Sequence, residues 1–187
     1  GFDLYKVQWK KNRGIDQTAE DVKQELRSEM IPYSHAVCDD DGVGGGVVDI
    51  VRGIKGFVGN AKPIEVPDKE KGGKKRENYK NQRSQCGFML ADMIMRHKMS
   101  ISAELDEATK EMMIEDLQNV LKKKDVPVEA PLQLIPKEEI KEALGRSPDF
   151  ADMMLMRMYF ELKKIENKPY VPRPTGGVRP LYPGMPG

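Results

Sequence analysis

The chain opens with apolar and polar positions alternating through Phe2, Leu4, Val7 and Trp9, and aromatic and β-branched residues at that period predict a strand of a half-buried sheet. The turn-prone Asn12-Arg13-Gly14 ends it. Ala19, Val22, Leu26 and Met30 then recur at helical spacing, with Thr18 as the expected cap, Glu20 and Asp21 in the first turn and Pro32 past the end. A short apolar run through Ala36, Val37 and Cys38 empties into Asp39-Asp40-Asp41 and a glycine cluster, after which Val47, Val48, Ile50, Val51 and Ile54 resume helical periodicity. The order is strand, loop, helix, with candidate chemistry at the strand's carboxyl end. Gly56-Phe57-Val58-Gly59 predicts another short strand.

From Asn60 to Asn78 the chain is polar and rich in Lys and Gly, which predicts a mobile basic loop with little fixed structure. Helical spacing returns through Cys86, Met89, Leu90, Met93 and Ile94, and again between Leu105 and Leu121. Leu132-Gln133-Leu134-Ile135 predicts a short strand, followed by a helix from Pro136 through Ile140 and Leu144 to a carboxyl-terminal cap at Gly145. Ser147-Pro148-Asp149 signals the last helix, with Ser147 at the cap, Pro148 at the first position and acids in the first turn. One domain over residues 2–165 is expected, then a Pro/Gly-rich tail over 166–187 that is extended unless a partner orders it.

Composition narrows the function classes. With 187 residues there is room for one core plus appendages, and a net charge of +1 excludes attachment to nucleic acid by bulk positive charge. Local charge matters more: Lys69, Lys71, Lys74, Lys75 and Arg76 make one basic run, and Lys122 to Lys124 another. Cys38 and Cys86 have neither metal-ligand spacing nor the numbers for a disulfide framework, which suits a reduced compartment. No apolar run approaches the roughly 18–20 residues of a membrane span, so a cytoplasmic location is expected.

Three groups of residues carry candidate chemistry. Adjacent carboxylates at Asp39, Asp40 and Asp41 repel one another unless a cation or solvent neutralises them, and hard divalent ions take such oxygen ligands. On a strand, Asp39 and Asp41 would share one face and Asp40 the other. Gly42 and Gly44 to Gly46 lie where phosphate loops are found, but no Gly-Lys-Ser/Thr follows and no Gly-x-Gly-x-x-Gly is present, so a nucleotide cradle is disfavoured. Asp149 and Asp152, three apart in a helix's first turn, share a helical face and could meet Asp39 across space. Carboxylates so assembled can hold two metal ions about 3.5–4 Å apart and promote phosphodiester cleavage without histidine or cysteine.

The stretch Asp39-Asp40-Asp41-Gly42-Val43-Gly44 resembles the second acidic motif of terminase large-subunit nuclease domains, Asp-x-Asp-Gly-Val-Gly at the end of an apolar strand. Tyr79-Lys80-Asn81-Gln82-Arg83 is similar to that family's aromatic-x-Asn-x-Arg stretch, and Ser147-Pro148-Asp149-Phe150-Ala151-Asp152 to its closing Ser-Pro-Asp-x-x-Asp motif. The motifs stand in the family's order, and the likeness covers roughly residues 2–162. It implies an α/β, ribonuclease-H-like mixed sheet flanked by helices, with Asp39 as the second metal-binding carboxylate and Asp149, with Asp152, at the third position. Asp41 would assist. Mg²⁺ or Mn²⁺, two ions, would be the cofactor, with no nucleotide in this portion.

The family's first catalytic aspartate belongs to an Asp-x-Ala-x-x-Gly-x-Asp motif on an earlier strand, and nothing before Tyr5 matches it. The expectation is therefore a carboxyl-terminal fragment that lacks its first strand, with Gly1 left by processing and turnover weakened or lost. The resemblance further implies a phage or prophage protein of the bacterial cytoplasm that cuts concatemeric double-stranded DNA. Its partners in the intact protein would be an ATPase motor domain, a portal and a small terminase subunit. Lys74, Lys75, Arg76 and Arg83 are the expected phosphate contacts, positioning DNA without reading its sequence. A rival reading is a non-catalytic module that docks on a portal or small subunit through the proline-rich tail, and a second is a nucleotide-binding domain using Gly42 to Gly46.

Overall fold

The computed structural model describes residues 1–41, 45–68 and 70–166. The expected tail after Glu166, and Gly42, Val43, Gly44 and Lys69 of the glycine cluster and basic run, lie outside the described residues. Among the described residues six strands and six α-helices follow one another as β1 (Phe2–Leu4), α1 (Ile15–Ser28), β2 (Val37–Asp39), α2 (Gly45–Ile50), β3 (Lys55–Phe57), β4 (Val66–Pro67), β5 (Lys74–Lys75), α3 (Gln82–Met95), β6 (Met99–Ile101), α4 (Glu107–Gln118), α5 (Lys137–Leu144) and α6 (Asp149–Glu166).

Pairing is mixed: β1 runs parallel to β6, β2 parallel to β3, and β4 antiparallel to β5. These are three separate two-stranded ladders among the described residues rather than one sheet, each strand being only two or three residues long. β1 is shorter than its alternation suggests. Beyond Leu4 the chain leaves the ladder, and Trp9 instead tilts against Phe150 with ring centroids 6.5 Å apart while Lys11 lies over its face. Leu132 and Leu134 make isolated bridges to Tyr79 and Lys122 in place of a strand.

The larger core forms around α6. Its apolar stripe Ala151, Met154, Leu155, Met158 and Leu162 recurs at three and four residues and is fully buried against α3 and α4. Cys86, Leu90 and Met93 of α3, Met113 of α4, and Phe57 and Ile64 complete that cluster. Gly87 lets α3 come close, for a Cβ there would stand 2.5 Å from Leu134 Cδ1 and 3.2 Å from Leu155 Cδ2. A second, smaller core joins α1 to α2 through Ala19, Leu26, Val47, Val51 and Ile54.

The structure differs from the local signals in two places. α1 starts at Ile15 with Gly14 as its cap, and Thr18 lies one turn inside, donating its hydroxyl to Gly14 O at 2.9 Å. The Asn60–Asn78 segment carries the β4–β5 hairpin, and Ile64 is clamped by the Gln85 side chain, which accepts from Ile64 N at 2.7 Å and donates to Ile64 O at 2.9 Å. A buried side chain 21 positions from Ile64 supplies fixed contacts that polar composition conceals. Among the described residues no helix is long and apolar enough to cross a membrane.

Candidate active site

The β2–β3 ladder sets the first wall of the site. Asp39 ends β2 opposite Phe57, and Asp40 N donates to Phe57 O at 2.9 Å, so the acidic run leaves the ladder in a defined register. Side-chain alternation then separates the three acids. Asp39 and Asp41 face a cavity of about 570 Å³, while the Asp40 carboxylate lies over Gly56 of β3, in space a Cβ at that position would fill. Asp41 is held in place by Gly59, whose N–H donates to Asp41 Oδ2 at 2.7 Å, and Asp39 Oδ1 accepts from Asp41 N at 3.2 Å.

The second wall is the start of α3. Asn81 caps it, accepting from Ser84 N at 2.9 Å, and this fixes the first turn from which Arg83 reaches into the cavity. Arg83 N also donates to Gly59 O at 2.9 Å, so one glycine ties the Asp41 carboxylate to the backbone of Arg83. Arg83 Nη1 donates to Ile135 O at 3.0 Å, while its Nε and Nη2 are buried without a hydrogen-bond partner. Burial draws the Arg83 guanidinium below its ordinary pKa, against the charges of Asp152 and Glu138.

α5 and α6 close the remaining sides with Lys137, Glu138, Lys141, Asp152, Leu155 and Met156. Asp152 stands in the first turn of α6 and forms an ion pair with Lys137. Burial pushes its carboxyl above the usual range, Lys137 and Arg83 pull it back, and the charge of Asp39 adds to the rise. Asp39 and Asp152 thus feel each other across the cavity. Asp149, three residues earlier, is exposed and does not line the cavity, so of the two acids of the closing motif Asp152 is the one the fold presents to Asp39.

The cavity's donor chemistry suits a hard divalent cation: Asp39, Asp41 and Asp152 offer oxygens, no histidine or cysteine lines it, and Asp152 Oδ2 is buried without a hydrogen bond of proper geometry. In the described residues the acids are not drawn into a cluster of three around one point, because Lys137 lies against Asp152 and Gly59 N holds Asp41.

Of the expected phosphate contacts only Arg83 is in the cavity. Lys74, Lys75 and Arg76 are on or beside the hairpin and pair with Glu166 at 3.7 Å, Asp68 at 3.6 Å and Glu65 at 3.1 Å.

Sequence reasoning missed three kinds of contributor. Lys137, Glu138 and Lys141 of α5 also line the cavity, Lys141 lying four positions from Lys137 and three from Glu138, a charged spacing visible in the sequence although nothing local ties it to the acids. Lys80 lines the cavity from within the motif that was singled out for its asparagine and arginine. Asp116 of α4 is fully buried, accepts from Phe150 N at 2.9 Å and Ala151 N at 3.4 Å, and is paired with Arg146. It caps the helix that carries Asp152, a role expected of Ser147.

The fold is that of the nuclease domain of a phage large terminase subunit, an α/β arrangement of the ribonuclease-H-like kind. Against a point mutant of the nuclease domain of the large terminase subunit gp2 of bacterial virus Sf6, solved with manganese, the TM-score is 0.64 at 21% identity over 83% of this chain and 78% of that one. Against the nuclease domain of the same gp2 in a second structure the TM-score is 0.59 at 22% identity, over 76% and 71% of the two chains. No family model and no curated protein matches the chain.

Proposed function

We propose that this chain is the nuclease portion of a viral DNA-packaging terminase, a metal-dependent endonuclease acting on double-stranded DNA. The observation that carries the reading is the convergence of Asp39, Asp41 and Asp152, from β2, the loop after it and α6, on one cavity inside a terminase-nuclease fold. Asp39 and Asp152 would hold Mg²⁺ or Mn²⁺ with Asp41 assisting, and Asp149 would serve only as a peripheral acid at the helix start. Two bound divalent ions supply an activated water and stabilisation of the departing oxygen in phosphodiester hydrolysis. The chain's own groups do the rest. Arg83 brings a guanidinium with two unpartnered nitrogens toward a phosphate oxygen, and Lys137 balances the buried Asp152 charge. Lys74, Lys75 and Arg76 add phosphate contacts once their surface ion pairs open, which costs little because such pairs are worth roughly 0–1 kcal/mol. The substrate would be concatemeric DNA in a bacterial host, within an assembly of motor, portal and small subunit.

The test is plasmid cleavage with Mn²⁺ by the chain and by the longest form of the protein that cuts, together with Mn²⁺-induced NMR line broadening in the chain alone. Asp39→Asn and Asp152→Asn are expected to lower cutting by at least about 100-fold, since each removes an oxygen ligand, and to abolish the broadening around the cavity. Cutting and broadening that survive both substitutions would remove the site.

A further inference from the structure

The cavity is lined by four cations, Lys80, Arg83, Lys137 and Lys141, and four carboxylates, Asp39, Asp41, Glu138 and Asp152. They are not equivalent. Lys137 is paired with Asp152, and Arg83 lies inward, hydrogen-bonded to Ile135 O and within the field of Asp152 and Glu138. Lys80 and Lys141 are exposed, and among the described residues neither has a carboxylate within ion-pairing distance. One comes from the segment before α3, whose backbone is pinned by Lys80 N donating to Leu132 O at 2.9 Å, and the other from the last turn of α5. Two exposed, unpaired ammonium groups on different elements therefore line the same cavity as Asp39, Asp41 and Asp152. A polyanion drawn to the acids' bound cations would meet these two groups first.

We propose that Lys80 and Lys141 are the phosphate contacts that seat the DNA backbone at the cavity mouth, one on each side of the acids. This rests on the nuclease reading and deepens it by placing the strand being cut. The hairpin cations contribute less, because a phosphate must displace Glu166, Asp68 or Glu65 from Lys74, Lys75 or Arg76, whereas at the mouth it displaces only counterions. Each lysine is a point charge on a flexible stem, suited to holding any sequence. Asn60, Asn81 and Gln133, which line the same cavity, add neutral donors between them.

The experiment is fluorescence anisotropy of a labelled duplex DNA titrated with the full chain across a salt series, with Ca²⁺ present to prevent cutting. The double substitution Lys80→Gln with Lys141→Gln is expected to flatten the plot of log affinity against log salt by about 2, near 1 per lost phosphate contact. The loss should be equal for duplexes of unrelated sequence. Lys74→Gln with Arg76→Gln should flatten it by less. A wild-type chain that binds while the mouth variant keeps its slope, or a hairpin variant that loses more than the mouth variant, overturns the placement and leaves the nuclease reading standing. A wild-type chain that does not bind duplex DNA overturns both.

Discussion

In the cavity, charged groups are seated against buried structure: Arg83 is anchored to the backbone of Ile135 at 3.0 Å, and Asp152 grows from the first turn of a helix whose apolar stripe is fully buried. On the β4–β5 hairpin the charges reach across solvent, Lys74 to Glu166 at 3.7 Å, Lys75 to Asp68 at 3.6 Å and Arg76 to Glu65 at 3.1 Å. The hairpin reads as the more basic stretch in sequence, yet in space three of its cations already face carboxylates. Counting cations along a chain measures composition, whereas the field a ligand feels depends on which of them have already found carboxylates. The cavity, by contrast, holds Asp152 where burial opposes its ionisation, and it does so because the surrounding elements are locked.

That lock is where the comparison breaks most severely. Asp116→Ala removes the acceptor for Phe150 N and Ala151 N and strands Arg146, so an unfolding free-energy loss of about 2–3 kcal/mol is expected, below the roughly 3–5 kcal/mol of a fully buried pair because Arg146 is 30% exposed. Urea denaturation measures it, and a midpoint within error of the parent would show that α6 stands without the cap. The core behind α3 gives a second, smaller check, through Cys86. Burial pushes the Cys86 thiol up to about 12. Iodoacetamide followed by peptide mass spectrometry should leave Cys86 unmodified in the folded chain and label it on unfolding, whereas rapid native labelling would mean that α3 opens.

The smallest effect belongs to the hairpin. The N–H groups of Glu70 and Lys71, with Lys75, hold the Asp68 carboxyl below its ordinary value of 3.8. A depressed native pKa contributes stability that is present above the unfolded value and lost as pH falls through the native one. Asp68→Asn should therefore lower the thermal midpoint slightly at neutral pH, with the gap to the parent closing below pH 3.8. A gap that widens in acid would reverse the sign and show that Asp68 is not stabilised as an anion.

What could be read from sequence followed local physics. The stripe Met154, Leu155, Met158, Leu162 and the left-handed Gly145 at φ 67° after α5 are set by neighbours a few residues away, and both are where the spacing puts them. The acidic run and the closing motif were also legible as candidates. That Asp152 rather than Asp149 lines the cavity was not, since both share a face by spacing and only the three-dimensional fold around the cavity separates them. Asp116 was invisible for a different reason. It lies 34 residues from the amide it caps, and a mid-helix aspartate carries no local sign of a distant helix start. The Asn60–Asn78 segment misled by composition, because its contacts come from Gln85 and Asp68 rather than from an apolar run.

The pairing of β1 with β6 has a consequence for how the molecule is made. Phe2 opposes Met99, and the Asp3 carboxylate accepts from the Ser100 hydroxyl at 2.7 Å across 97 positions of chain. At about 5–20 residues per second of synthesis, the first strand is exposed for roughly 5–20 s before its complement exists. Its aromatic edge must wait unpaired on the ribosome, and docking it is a late, long-loop closure that α3 and α6 cannot hasten.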